Sequence, residues 1–232
     1  MFFYGLLVLG VAISLLCGAA GLVIGLHRRG AVPYALLTVG AITGILSLVV
    51  QVALLQVADR ALLNILPIGA LAVGIAAGFS EEPARFLGYH YLAPAAVTRG
   101  QALMIGAGHG LIETLYTALI AFGLGLSLLG YETTHPDDPA ALVSGALAES
   151  LNGLLPVVMH MALSWIVLQV FLRGELFWLF GAIFFHAVIE IMAALLGSAD
   201  DWMVVIFRLI VALVSLMVIV RLRDRPLLVA EE

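Results

Sequence analysis

Two adjacent carboxylates and an arginine stand out in a strongly apolar chain. Glu81, Glu82 and Arg85 fall together in the stretch Phe79 to Arg85. Glu81 and Arg85 are four residues apart, which places them on one face of a helix. One of the two adjacent glutamates can act as a general base, while the arginine holds the other glutamate or stabilises an oxyanion. The residue types and their spacing therefore predict a catalytic site.

Imidazole and carboxylate groups recur on three other predicted helices. His109 and Glu113 are four residues apart, as are His186 and Glu190, and each pair shares a helix face. His160 stands alone in the middle of a further apolar run. Imidazole with carboxylate suits zinc, and a catalytic zinc keeps one position open for water. We therefore expect these five residues to be ligands of a divalent metal, with Zn²⁺ the best match.

The same groups share a depth in the predicted membrane. An ionisable side chain inside a bilayer costs about 2.5 to 3.5 kcal/mol on insertion scales, so it is a functional-site candidate. Counted at about 1.5 Å per residue from the predicted cytoplasmic helix ends, the paired glutamates and the three histidines lie roughly 12 to 18 Å deep. Taken singly, a histidine is more simply an interhelical hydrogen-bonding residue, and a Glu–Arg pair at i, i+4 is more simply a buried ion pair. Agreement across four helices favours a site in the cytoplasmic half.

Composition predicts a membrane protein. Of 232 residues, 63% are hydrophobic and 11% are charged, against about 25% charged in an ordinary soluble domain. Helices satisfy their own backbone in lipid, so the fold class is an all-α, polytopic transmembrane bundle. We expect one integral membrane domain, 1–232, with helices 3 to 6, about 62–197, as the catalytic core. Seven apolar runs are long enough to cross a bilayer, at about 2–26, 34–57, 62–92, 101–128, 145–172, 176–197 and 202–221.

The basic residues predict the orientation, because cytoplasmic ends of membrane proteins are rich in Lys and Arg. With the N-terminus outside, the cytoplasmic ends receive Arg28, Arg29, Arg99, Arg173, Arg221, Arg223 and Arg225. The outer loops receive Asp59 with Arg60, the acidic stretch Glu132 to Asp138, and Asp200 with Asp201. We therefore predict N-out, C-in, and a site that opens toward the cytoplasm. The acidic stretch is interpreted as a solvated loop.

Other catalytic chemistries find little support. Cys17 is the one cysteine, which excludes an internal disulfide and a CxxC metal site. The absence of HExxH and GxSxG argues against a soluble-type zinc protease and a serine hydrolase. Three alternatives stay open: a metal-ion transporter with ligands at several depths, a haem-binding protein with paired axial histidines, and an inactive binder or chaperone of membrane segments.

The motifs resemble those of the YhfC family of proposed intramembrane metalloproteases. That family is placed near the CAAX prenyl proteases, bacteriocin-processing enzymes and PrsW proteins. The resemblance covers helices 3 to 6, and CAAX-type enzymes have one more residue between the glutamates and the arginine. It rests on EExxR at Glu81 to Arg85, GxGHGxxE at Gly106 to Glu113, the lone His160 and HxxxE at His186 to Glu190.

The resemblance implies individual roles. Glu81 matches the glutamate that activates water, with Glu82 and Arg85 in support. His109 and His186 match metal or water ligands.

The resemblance also implies a function, namely an intramembrane metal-dependent endopeptidase of the prokaryotic plasma (inner) membrane. Its substrate would be a membrane protein, a peptide or a lipidated peptide, cleaved in or near the bilayer. Glu190, where CAAX-type enzymes usually have asparagine, would be a ligand or a supporting acid. We expect the lipid bilayer as a partner and no nucleic acid.

Overall fold

The computed structural model describes residues 2–57, 63–130 and 139–222. In these ranges the chain forms seven α-helices and no strand, so the predicted all-α bundle of about seven helices is confirmed. The helices are α1 (Phe2–Gly30), α2 (Ala35–Val57), α3 (Leu66–Leu87), α4 (Arg99–Gly130), α5 (Pro139–Arg173), α6 (Phe177–Gly197) and α7 (Asp201–Arg221), and the π-helical turn Gly88–Leu92 continues α3. Outside the described residues lie Asp59, Arg60, the acidic stretch Glu132 to Asp138, Arg223 and Arg225.

Six of these helices are long and apolar enough to cross a membrane, as expected of an integral membrane protein. The sequence predicted seven such segments, and α3 is the one that falls short. Its length of 22 residues suffices, but its last turns carry Glu81, Glu82 and Arg85, which lower its apolar character. The one described helix that is not apolar enough to count as a membrane span is therefore the one that carries the candidate catalytic residues.

Contacts between helix ends show which ends lie together in the bundle. A Cβ on Gly5, near the start of α1, would meet the Leu129 side chain in the last turn of α4 at 2.8 Å. At the other end of α4, Arg99 Nη1 donates to Ile219 O in the last turn of α7, over 3.1 Å. The start of α1 and the end of α7 therefore lie at opposite ends of the bundle. Which of these ends faces the cytoplasm stays a prediction.

Arginines mark one of the two ends. The end of α1, the start of α4 and the ends of α5 and α7 meet there. Trp165 of α5 donates to Leu222 O just after α7, over 3.0 Å. We term this the arginine end, and the other the opposite end, where Asp200 caps the start of α7. The arginine end carries Arg28, Arg29, Arg99, Arg173 and Arg221.

Six helices form a closed ring in the order α2, α4, α5, α7, α6 and α3, each packed against the next. The first helix, α1, packs outside the ring against α4 and α5. Glycines allow the closest approach of α3 and α6, since a Cβ on Gly78 would meet Ile183 O at 2.7 Å. Small residues commonly permit such contacts between membrane helices. The candidate site lies inside this ring.

Candidate functional site

Glu81 is the centre of the candidate site. Its Oε2 lies 3.0 Å from His109 Nε2, 3.9 Å from His160 Nδ1 and 3.7 Å from His186 Nε2. All four side chains are buried, and they come from α3, α4, α5 and α6. The convergence that helix depth predicted is confirmed. We term these four residues the Glu–His cluster.

The turn that carries Glu81 stays helical. A proline inside a helix removes one hydrogen bond of the backbone ladder, and from the sequence Pro83 therefore predicts an interruption here. The structure differs, because α3 runs through Pro83 to Leu87 before it widens into the π-helical turn. Glu81, Glu82 and Arg85 therefore sit on a continuous helix that holds them at fixed spacing.

Thr43 of α2 determines which nitrogen of His109 faces the cluster. The Thr43 hydroxyl donates to Gly40 O over 2.8 Å, so it can only accept from His109 Nδ1, 3.1 Å away. The ring proton is then on Nδ1, and Nε2 presents its lone pair to Glu81. Metal-binding histidines are commonly held in this way by an oxygen acceptor. Sequence reasoning missed Thr43, because a lone threonine in an apolar helix shares no motif with His109.

Glu82 holds His186 in a similar way. Its Oε1 lies 2.7 Å from His186 Nδ1, and its Oε2 accepts from Arg85 Nη1. Glu82 and Arg85 are both fully buried. The sequence left Glu81 and Glu82 interchangeable, whereas the structure separates them. Glu82 has both oxygens engaged by neighbouring side chains, and Glu81 faces the histidines.

His160 lies between Arg85 and Glu113. Arg85 Nη2 is 3.0 Å from His160 Nδ1, and because a guanidinium only donates, Nδ1 is the acceptor. The proton of neutral His160 is then on Nε2, which lies 2.9 Å from Glu113 Oε1 without hydrogen-bond alignment. His160 can therefore bind a metal through Nδ1 only if Arg85 releases that nitrogen.

Three of these residues can hold a metal ion. One ligand atom from each of Glu81, His109 and His160 lies within 4.8 Å of the other two. His186 is outside that group, although its Nε2 is 3.7 Å from Glu81 Oε2. The geometry thus supports a metal-binding group but does not distinguish one metal from another.

The two predicted glutamate ligands do not enter this group. Glu113 lies beside His160 instead, with its side chain 46% exposed. Glu190 lines a cavity together with Arg208 of α7. One helical turn separates each glutamate from the histidine of its motif, and that turn carries the carboxylate away from Glu81.

A cavity of about 360 Å³ adjoins the cluster, and all six helices of the ring line it. Glu81 and His109 form its inner wall, and Gln51, Thr117 and Glu149 line it farther out. This cavity extends from the cluster toward the opposite end. The sequence predicted a site that opens toward the cytoplasm, and which end faces the cytoplasm stays a prediction. Thr117 follows His109 along α4, away from the arginine end, and on α5 Glu149 precedes His160 in the same direction. We term it the central cavity.

Pro156 shapes the cavity wall on α5. A proline has no N–H, so the oxygen of Asn152, four residues earlier, loses its helical partner. Arg208 Nη1 donates to that oxygen from α7, and Thr114 Oγ1 donates to the adjacent Gly153 O over 2.8 Å. The bond from Arg208 satisfies the freed carbonyl of Asn152, as a proline within a membrane helix requires. The bonds from Arg208 and Thr114 also hold α5 in place about two turns before His160.

The fold and the cluster together define an integral membrane protein with a buried Glu–His group that can hold a metal ion. Comparison of the chain with known protein families, curated proteins and solved structures gives no match. The resemblance to the YhfC family therefore rests on the sequence motifs alone.

Proposed function

We propose that the protein is a metal-dependent intramembrane endopeptidase, in line with the YhfC-like motifs. The observation that carries the proposal is the setting of Glu81. Its Oε2 has ring nitrogens of three histidines within 4 Å, at the wall of a cavity. Buried ionisable groups are costly in a membrane, so their presence at this point favours a catalytic role. We propose the prokaryotic plasma membrane as its location and a membrane protein, peptide or lipidated peptide as its substrate.

The donor set fits a divalent metal such as Zn²⁺. With its proton on Nδ1, His109 directs a lone pair from Nε2 at Glu81 Oε2, 3.0 Å away. Two lone pairs at that distance repel unless a proton or a cation lies with them. His160 is the third residue of the group that could hold the ion, through Nδ1 once Arg85 releases that nitrogen. A divalent metal held by these groups would supply Lewis acidity to the reaction.

Glu81 is the proposed proton carrier. Peptide hydrolysis needs a base for the attacking water and an acid for the leaving amine, and one carboxyl group can serve both steps in turn. Glu81 lines the cavity, so its carboxylate is within reach of a substrate. Glu82 is engaged by His186 and Arg85 and is fully buried, so its part is to position His186.

The test uses purified protein in lipid nanodiscs, incubated with a library of synthetic transmembrane peptides and analysed by mass spectrometry. Wild type should produce fragments with new termini. Glu81→Gln should reduce their rate of formation by about 10² to 10⁴, the usual contribution of a general acid–base group. Glu175→Gln, an exposed position at the arginine end, is the matched control and should cleave like wild type. Equal rates for Glu81→Gln and wild type would refute the proposal.

A metal-ion transporter is the second candidate, because Glu113, Glu149 and Glu190 line the central cavity beyond the cluster. They place carboxylates at several depths, as expected of a transport path. Zinc uptake into proteoliposomes that depends on Glu81, without peptide cleavage, would favour transport. Haem binding is less compatible with the cluster, since the rings of His109 and His160 lie 5.0 Å apart between centroids and leave no space for a macrocycle between them.

A further inference from the structure

A packed layer fills the ring on the arginine side of the Glu–His cluster. Tyr89, Ile105, Leu163 and Trp165 are nearly or fully buried and belong to one hydrophobic cluster. Each lies on the arginine side of the site residue in its own helix. Tyr89 Oη also lies 2.7 Å from Ser164 Oγ, which joins the continuation of α3 to α5 across the ring. The interior is therefore filled between the cluster and the arginine end.

The opposite side of the cluster is hollow. The central cavity begins at Glu81 and His109 and continues past Thr117 to Glu149, which is exposed at the protein surface. Its volume of about 360 Å³ is near the lower limit of ligand pockets, about 300 to 1,000 Å³. Such a space admits an extended chain segment and excludes a folded domain.

The cavity wall offers a hydrogen-bond donor and an acceptor suited to a peptide group. Asn152 Oδ1 and Arg208 Nε are buried and have no hydrogen-bond partner among the residues that the structure describes. Both side chains line the central cavity. Buried polar atoms are normally paired. The Asn152 amide and the Arg208 guanidinium suit a bound peptide backbone, because an amide oxygen accepts from a backbone N–H and a guanidinium donates to a backbone C=O.

We propose that an extended peptide segment reaches Glu81 from the opposite end, through the central cavity, with Asn152 and Arg208 binding its backbone. The identity of the ligand as a peptide rests on the proposed endopeptidase function. The side of access does not, since it follows from where the interior is hollow and where it is filled. With the predicted N-out orientation, the substrate segment would come from outside the cytoplasm.

Single cysteines test the side of access. Cys17 is exposed, so Cys17→Ser provides the background. Thr117→Cys reports on the cavity, and Ser164→Cys, a nearly isosteric change on the filled side, is its matched control. Phe2→Cys and Arg29→Cys are exposed references for the opposite end and the arginine end. Each variant is reconstituted in sealed vesicles and treated with a membrane-impermeant, cationic methanethiosulfonate reagent added to one side, and labelling is measured by mass spectrometry.

Thr117→Cys should react from the side from which Phe2→Cys reacts, whichever side that is, and Ser164→Cys should be protected from both. Reaction of Thr117→Cys from the Arg29→Cys side only, or from neither side, would overturn the inference. Monodisperse elution of each variant in size-exclusion chromatography establishes that it is folded. Because labelling needs no catalysis, an absence of peptide cleavage would remove the endopeptidase proposal and leave the access result standing.

A kinetic variant tests the backbone contacts. Asn152→Leu keeps a similar volume and removes the acceptor. For a transmembrane peptide that wild type cleaves, KM should rise about tenfold while kcat stays within about twofold, the pattern of lost substrate binding. An unchanged KM would refute the assignment of Asn152 to substrate binding.

Discussion

Arg85 offers the sharpest test of the electrostatic arrangement inside the ring. Its guanidinium is fully buried, donates to Glu82 and lies 3.0 Å from His160 Nδ1. Arg85→Met keeps much of the side-chain volume but removes the arginine partner of Glu82 Oε2 in the protein interior, and leaves that carboxylate with His186 alone. Removal of one partner from a buried ion pair costs about 3 to 5 kcal/mol, because the other charge stays desolvated. The ratio of folded to unfolded protein should therefore fall more than about a hundredfold.

The measurement is reversible unfolding in mixed micelles, followed by the fluorescence of the three tryptophans, of which Trp165 is buried. Arg29→Met, at an exposed position, is the control and should stay within about 0.5 kcal/mol of wild type. In a double-mutant cycle, Glu82→Gln with Arg85→Met should be more stable than the sum of the single effects by about 1 to 3 kcal/mol. Unfolding free energies for Arg85→Met within about 1 kcal/mol of wild type would refute the buried pair, a threshold well below the expected loss.

Gly110→Ala should destabilise the bundle by about 1 to 3 kcal/mol, since its Cβ would meet Val157 Cα at 2.9 Å and His160 Cδ2 at 3.0 Å. Gly123→Ala on the same helix meets nothing within 4 Å, so thermal unfolding should show no loss there. Thr43→Val should weaken metal binding about 10- to 100-fold in a competition titration by removing the acceptor for His109 Nδ1, whereas Thr38→Val, exposed on the same helix, should not. His109→Ala should abolish bound divalent metal in elemental analysis of purified protein, and His90→Ala, exposed after α3, should retain it; metal retained by His109→Ala would contradict the ligand assignment.

Most of the fold could be predicted because long apolar runs in lipid have few alternatives to helix. The predicted limits agree with the observed helices, for example 34–57 against Ala35–Val57 and 202–221 against Asp201–Arg221. The third run was counted with the membrane spans because its first 15 or so residues are apolar. Its mean hydropathy is lowered by the three charged residues near its end, Glu81, Glu82 and Arg85. Contacts with other helices stabilise these residues, and hydropathy cannot represent such contacts.

The candidate site could be predicted in part, because charged groups in a membrane segment are rare and costly. Depth along each helix identified Glu81, His109, His160 and His186 as one layer, and their contacts bear this out. The i, i+4 spacing predicted less of the site, since a shared helix face does not bring Glu190 to the same point as His186. Thr43 left no signal in the sequence, because its importance depends on the packing of α2 against α4.

The direction of the cavity shows why depth alone was insufficient. Counting residues from a helix end gives a position along the membrane normal, but it does not say which side of that layer is packed. On the arginine side the ring interior holds large groups such as Trp165 and Tyr89. On the other side the ring interior is lined by Gly153 and Thr117, which leave space, and by polar groups such as Glu149, which tolerate water. Access therefore follows from side-chain volume across six helices, so arginine placement can indicate which end is cytoplasmic without indicating which end is open.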